Sequence, residues 1–576
     1  MVKIVPTALL LAGALVYETC ARSLQHVGKF NMKSADVHQR LAARGEVMAK
    51  RQAASTSMEP RHLTDKSKPF FVNGSALPDI DFDIGESYAG LLPISDDPDE
   101  TRKLYFWYFP SRNEAAEQEL TIWTNGGPGC SSLEGLMQEN GPWLWQYGTY
   151  KPVANPWSWT NLTNMLWVEQ PVGTGFSQGT PNITSQAELA EQFKGFYRNF
   201  ADTFNTTNRQ IYITGESYAG QYVPWIASSM LDEEDKEYFN VSGIMIYDPS
   251  ISTDQLLEQT PVAQFTRYWD GLFPFNSTVR AKIDEMDAKC GYTKFLDEYM
   301  VFPPKGKMPP PPAYSDECDL FDYVFTAILD INPCFDIYQV ATTCPLLWDV
   351  LGFPGSMDYV PYGADIYFNR TDVKEAINAP VNTSWTTCSV GNVFNTKSGL
   401  DSEAEAGKFS SETVLPGVID RVERTIIAHG MLDMVLLANG TLLALQNMTW
   451  GGMQGFQNEP TEPFYVPFHN DYQLSTLAAS GTMGKTITER GLSWISNDLS
   501  GHMLPQYQPS SAYRQLEFLL GRIDSLSSKQ PFTTSDAGYQ AQNTIPEKRA
   551  AAELNAPFLA YNHIAQRDIA QIINEF

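Results

Sequence analysis

The run Tyr212-Ile213-Thr214-Gly215-Glu216-Ser217-Tyr218-Ala219-Gly220 sets a serine between glycines, after a β-branched stretch and ahead of an apolar helical one. This is the layout of a nucleophile elbow, in which small residues let strand and helix pass closely around a strained serine. A hydroxyl is a weak nucleophile at its own pKa. Ser217 therefore needs an imidazole to take its proton, a carboxylate to orient that imidazole, and N–H groups to stabilise an oxyanion.

At elbows of this kind the acid and then the base follow the serine along the chain, each at the end of a later strand. His26, His38 and His62 precede Ser217, which leaves His429, His469, His502 and His563. His502 stands in Gly501-His502-Met503-Leu504-Pro505, just after the apolar strand Leu492 to Ile495, where glycine allows the turn and proline stiffens it. It is the expected general base. The strand Thr425 to Ala428 leads through His429-Gly430-Met431-Leu432 to Asp433, the expected orienting acid. Asp420, Asp471 and Asp498 remain alternatives. For the oxyanion, the backbone N–H of Tyr218 supplies one donor. Gly127 supplies the second, in the loop Asn125-Gly126-Gly127-Pro128-Gly129-Cys130 that follows the strand Leu120 to Thr124.

These loops need a rigid sheet behind them. Strand-like runs at 105–109, 120–124, 164–169, 210–214, 243–247 and 424–428 alternate with helical stretches at 187–204 and 220–231, which predicts an α/β fold with a mostly parallel sheet. Residues 255–370 break that rhythm with helical pieces and the proline run Pro309 to Pro312, and read as an insertion over the active edge. The main domain is expected over 60–522. Ahead of it, residues 1–21 have the apolar core and small-residue end of a signal peptide, and 22–51 end in the dibasic pair Lys50-Arg51 of a propeptide. The Ser/Thr/Gln/Ala-rich stretch 523–576 reads as a flexible tail.

The formal charge of −27 disfavours nucleic acid and anionic lipid as partners, and no apolar run after the leader is long enough for a membrane span. With Cys20 in the leader, Cys130, Cys290, Cys318, Cys334, Cys344 and Cys388 form an even set suited to disulfides in an oxidising compartment. Sequons at Asn73, Asn161, Asn182, Asn205, Asn240, Asn276, Asn369, Asn382, Asn439 and Asn447 fit passage through the secretory route. No His/Cys/Asp group has metal-ligand spacing, and no cofactor is implied.

Taken together, WTNGGPGCSS, ENGP at 139–142, VEQPVGTGFS at 168–177, GESYAG, the Gly430 to Asp433 segment and GHMLPQYQP at 501–509 resemble the serine carboxypeptidase family. The resemblance implies an α/β-hydrolase fold with a helical insertion. It also implies release of single residues from peptide or protein C-termini at acidic pH, in a secreted or vacuolar setting. It further implies recognition of the substrate carboxylate by Asn125, Gly126, Glu139 and Glu216. A glutamate can donate to a carboxylate only when protonated, so a proton shared by Glu139 and Glu216 would switch binding on in acid. The family pattern pairs Cys130 with Cys388. For the other four a nested pairing, Cys290 with Cys344 and Cys318 with Cys334, is the working expectation. Val435, Leu436 and Met503 would line an apolar P1 pocket. Gln221 and Leu436 depart from residues that relatives carry there, histidine and a reactive cysteine. An acyltransferase, a lipase or esterase, and a non-catalytic binding protein are the competing readings of the same fold.

Overall fold

A computed structural model describes residues 60–111, 113–352, 363–399, 401, 409–468 and 480–535. The expected leader and propeptide, most of the tail, His469 and Asp471 lie outside the described residues. The main sheet comprises β1 (Phe71–Val72), β2 (Ser87–Pro93), β3 (Lys103–Phe109), β4 (Glu119–Thr124), β5 (Met165–Glu169), β6 (Gln210–Glu216), β7 (Val241–Tyr247), β8 (Arg424–Gly430), β9 (Glu462–Val466), β10 (Gly481–Glu489) and β11 (Leu492–Asn497). Their order across the sheet is β1-β2-β3-β5-β4-β6-β7-β8-β11-β10-β9. The centre, from β5 to β11, is parallel, and both edges are antiparallel.

A parallel sheet needs both faces covered, which is why β5 and β7 are apolar runs buried along their whole length. The helices are α1 (Ser132–Gln138), α2 (Gln186–Phe204), α3 (Ala219–Asp232), α4 (Val262–Tyr268), α5 (Ser277–Cys290), α6 (Tyr292–Tyr299), α7 (Leu320–Leu329), α8 (Ala438–Asn447) and α9 (Pro509–Leu519), of which α4 to α7 belong to the insertion. On one face Phe193, Phe196 and Phe200 of α2 and Val223 and Ile226 of α3 pack with Ile122, Ile213 and Ile244. On the other, Leu133 of α1 and Leu516 of α9 pack with Trp123, Trp167 and Met245, the alternate positions on the same strands. Helix α2 starts where Ser185 accepts from the Glu188 N–H and ends where Asn205 turns left-handed at φ 53°.

The α/β expectation holds, and the structure adds the antiparallel edges. It also extends the domain past 522. Phe532 is buried, 4.9 Å from the Trp157 ring and 5.8 Å from that of Tyr513, and buried Arg514 donates to the Ser528 and Gln530 carbonyls. Polar composition hid this strap, because its anchorage comes from one aromatic residue and backbone carbonyls.

In the insertion, α4, α5 and α7 build their own apolar cluster, which takes in Leu432, Met434 and Leu437 from around the predicted acid. Cys130 is bonded to Cys388 across a sequence separation of 258. The nested pairing is corrected: Cys290 is bonded to Cys318, and Cys334 to Cys344. The 10-residue helix α7 stands between Cys318 and Cys334. At about 1.5 Å per residue that helix is roughly 15 Å long.

The sequons Asn73, Asn182, Asn205, Asn276, Asn382 and Asn439 are exposed, and Asn240 is half-buried. Asn161 is buried, and its amide donates to the Pro156 carbonyl. Asn369 and Asn447 are partly buried and already engaged, with Trp385 and with the Met308 N–H.

Candidate active site

Ser217 follows β6 with φ 61°, a left-handed conformation that serine adopts only under constraint. The constraint is visible. Its N–H donates to the Tyr247 carbonyl at the end of β7, and its carbonyl accepts from the N–H groups of Gly220 and Ser250, each at 2.9 Å. A Cβ at Gly126 would come within 2.4 Å of the Tyr218 nitrogen and 2.7 Å of Ser217 Cβ, so only glycine lets the oxyanion loop lie against the elbow. Gly127, the next residue, has φ 110°.

Buried Glu169 ties that loop down. Its carboxyl accepts from Ser131 Oγ, from the Phe176 N–H at 2.5 Å and from Trp385 Nε1 at 3.1 Å, joining both sides of the Cys130–Cys388 link. Burial pushes this carboxyl up to about 7, against the pull of those donors. Gln221, where relatives carry histidine, bonds the Ser250 carbonyl and the Ser410 N–H and so supports the elbow helix.

Asp433 and His502 lie just beyond β8 and β11 and are both buried. His502 Nδ1 is 2.7 Å from Asp433 Oδ2, while Asp433 Oδ1 accepts from the Val435 N–H at 2.7 Å. A proton on Nδ1 shared with the carboxylate leaves Nε2 as the basic nitrogen, and Nε2 makes no hydrogen bond among the described residues. Burial lowers the basicity of this imidazole, but Asp433, Asp248 and Glu139 outweigh it and the net shift is upward. Of the alternative acids, Asp420 instead accepts from the Gly451 N–H, and Asp498 lies at the end of the β10–β11 pairing.

The insertion reaches into this corner. The His502 N–H donates to the Tyr338 carbonyl at 2.8 Å, and the two rings meet edge to face at 5.3 Å. The Met434 N–H donates to the Ile337 carbonyl, and the Val340 N–H to the Leu432 carbonyl, both at 3.0 Å. Residues 337–340 thus clamp the acid loop and the histidine loop together. Gly501 is required here, since a Cβ would come within 2.1 Å of the Tyr338 carbonyl.

Beside Ser217, the Asn125 amide donates to Glu216 Oε1 at 2.8 Å and to Glu139 Oε1 at 3.2 Å, and Trp123 Nε1 fixes its orientation by donating to Oδ1 at 2.7 Å. The amide hydrogens of Asn125 therefore serve the glutamates, which the sequence reading had assigned alongside it as direct substrate contacts. The two glutamates thus share one amide and lie close enough to perturb each other's protonation. Both are pushed well up from the ordinary carboxylate range, first by burial; for Glu216 the neighbouring charges of Glu139, Glu134 and Asp248 add to it. Glu139 Oε2 and Glu216 Oε2 are buried with no partner among the described residues. A protonated pair has O–H groups to offer, and an ionised pair has only repulsion.

Of the predicted P1 residues, Val435 is half-buried, while Leu436 and Met503 are 5% and 3% exposed. Glu258 stands on the π-helical turn Gln255–Gln259, within electrostatic reach of Asp433. Burial pushes it up to about 8, with Asp254, Asp433 and Asp319 adding to the effect, so it is neutral in acid. Asp248, Asp433 and His502 are the described group whose donor atoms lie close enough to share a metal ion. Their atoms are largely committed to hydrogen bonds, with Nδ1 of His502 on Asp433 and Oδ1 of Asp248 on Gly430.

The profile of the serine carboxypeptidase family matches residues 78–521. The chain belongs to that family. It is 55% identical over 88% of its length to a probable serine carboxypeptidase of Arthroderma benhamiae, covering 95% of that protein. It is 45% identical over 90% of its length to serine-type carboxypeptidase F of Aspergillus niger, covering 99% of it. In fold it resembles the crystal structure of a prohormone-processing carboxypeptidase from Saccharomyces cerevisiae, with TM-score 0.60 at 19% identity over 80% of this chain and 98% of that one. The enzyme is thus a serine-type carboxypeptidase on an α/β-hydrolase fold, and release of C-terminal residues is the family's activity.

The sequence reading missed Tyr338, Trp123, Glu258, Asp248 and His429. Of these, only Trp123 stands in one of the quoted motifs, and nothing there marks its indole as a donor. His429 precedes Asp433 in the chain, an order that says nothing of its neighbours in space.

Proposed function

We propose that Ser217 attacks the last peptide bond of a substrate while His502 takes its proton, held in the correct tautomer by Asp433. The backbone N–H groups of Tyr218 and Gly127 stabilise the resulting oxyanion, and His502 returns the proton to the leaving amino acid. Water then releases the acyl-enzyme. The substrate's free carboxylate is gripped by Glu139 and Glu216 in their protonated form, with Asn125 holding the pair in register and the Gly126 N–H assisting.

The observation that carries this reading is the Glu139–Glu216 pair itself, buried next to Ser217 with an unpartnered oxygen on each side chain. A lipase or esterase has no use for two neutral acids at that position. Peptide hydrolysis is expected to decline as pH rises past about 7, the value to which burial pushes Glu139, because the shared proton is then lost. His502 must be neutral to act, so the two requirements limit the rate from opposite sides of a pH window. Val435, Leu436 and Met503, with Glu258 neutral nearby, favour an apolar P1 residue, and a Lys hydrolysed faster than Phe there would reject that pocket. Among the described residues no helix is long and apolar enough to cross a membrane, and the leader and exposed sequons support a route through the secretory pathway to the outside or to a vacuole.

The test is a peptide ladder followed by mass spectrometry at pH 5 and pH 7.5. Stepwise C-terminal loss, faster in acid, slower on a C-terminally amidated peptide and abolished by Ser217→Ala, is the expected result. Equal rates on free and amidated peptides would remove the carboxylate grip from the account.

A further inference from the structure

Behind His502 and Asp433 lies a second acid–imidazole pair that the reaction above does not use. Asp248 follows β7 with φ 44°, and its N–H donates to the Ala428 carbonyl of β8 at 2.9 Å. Its Oδ1 accepts from the Gly430 N–H at 2.7 Å and lies 2.8 Å from His429 Nδ1. Both side chains are fully buried. Asp248 Oδ2 and His429 Nε2 have no partner among the described residues. Donor atoms of Asp248, Asp433 and His502 all lie within 4.8 Å of one another.

Two carboxylates buried that close repel each other unless positive charge lies beside them. The imidazolium of His502, formed as Ser217 loses its proton, is such a charge. We propose that Asp248 is a positioning residue for the catalytic pair: clamped by His429 and the Gly430 N–H, it anchors the start of the loop carrying Asp433 and presents a second carboxylate to His502. This rests on the reading of His502 as the base acting on Ser217.

The groups facing Asp248 are His429 from β8, Asp433 from the loop after it, His502 from the loop after β11, and Glu139 and Glu216 from the carboxylate site, with Tyr247 on its own strand. Burial holds Glu139 and Glu216 protonated in acid, so they add little negative charge near His502 there. Burial pushes Asp248 up to about 6, against the pull of His429, so its influence grows between about pH 5 and 7. His429 is lowered by burial and raised further by Asp248 and Asp433, for a net upward shift.

The test uses a neutral ester lacking a free carboxylate, which takes the Glu139–Glu216 switch out of the profile. Asp248→Asn keeps an acceptor for Gly430 but no charge. The acid limb of kcat/KM is expected to move down by ~0.5–1 pH unit, because His502 loses a neighbour that favours its protonated form, and kcat to fall ~10-fold with KM within ~2-fold. His429→Gln is expected to move the limb the same way, since Asp248 without its cation holds its own proton to higher pH. Rates are counted per site labelled by a fluorophosphonate, so misfolded molecules do not enter. A limb unmoved in both variants overturns the proposal, because a purely structural pair would change the number of labelled sites and not the profile. If neither variant takes the label, a native melting temperature supports positioning and a lost melting transition overturns it. Labelling of the unaltered enzyme away from Ser217, or ester hydrolysis surviving Ser217→Ala, would instead overturn the triad reading.

Discussion

Ser217 is held by the sheet, through Tyr247, Ser250 and the close approach of Gly126, whereas Asp433 and His502 are held partly by residues 337–340 of the insertion. The covalent links follow the same division. Cys130–Cys388 closes the oxyanion loop onto a segment 258 residues away, while Cys334–Cys344 closes a span of 10 around the clamp. A strained nucleophile needs surroundings that cannot relax, and a parallel sheet buried on both faces supplies them. The base needs a second layer, because its loop lies beyond the strand end, where the sheet no longer provides backbone partners. Base alignment is therefore coupled to the insertion, and nucleophile geometry is not.

The sharpest way to break this division is at the base. Asp433→Asn is expected to cost ~10⁴-fold in kcat, by favouring the wrong tautomer of His502, while leaving the elbow and the melting temperature nearly unchanged. A loss below ~10-fold would mean that the insertion alone orients His502.

On the nucleophile side, Glu139→Gln with Glu216→Gln replaces a titrating pair by permanent donors. The expected outcome is a peptide pH profile that no longer falls as pH rises past about 7, with a gain at pH 7.5 relative to pH 5 when each is compared with the unaltered enzyme. An unchanged profile sinks the proton-switch account.

Removing Cys334–Cys344 by paired serine substitutions is expected to lower kcat by ~10-fold through misplacement of His502, while removing Cys290–Cys318 costs less than ~2-fold. Equal effects would show that the clamp transmits nothing particular to the base.

The smallest expected effect is on stability. Glu169, pushed up to about 7 by burial, holds a proton in the folded state between its unfolded value near 4.3 and that point. The folded state then binds more protons than the unfolded one, so stability is present at low pH and falls as pH rises through this window, by about 3 kcal/mol for this group alone. Thermal melts should lose several degrees between pH 5 and pH 7.5, and Glu169→Gln should flatten that slope. A melting temperature that rises over the same interval would contradict the sign.

Much of the site could be read from the chain because its signals are local. Gly215, Ser217 and Gly220 mark the elbow, Gly501 and Pro505 bracket the base, and each follows an apolar run that could only be a buried strand. What could not be read depends on contacts between distant segments. Tyr338 carries no motif, yet its carbonyl seats His502. Phe532 sits in a polar stretch, yet it docks against Trp157. The partner of Cys290 depended on where α7 would stand, which a count of cysteines does not contain.

By itself the chain determined which side chains are chemically competent and in what order they leave the sheet, since strand, turn and helix preferences act over a few residues. Only the tertiary structure decided which acids are pushed toward the protonated form, as buried Glu139 and Glu216 are, and which is set against an imidazole, as Asp433 is. The physical reason is that desolvation and charge proximity set protonation, and both depend on neighbours within a few ångströms that lie far apart along the chain.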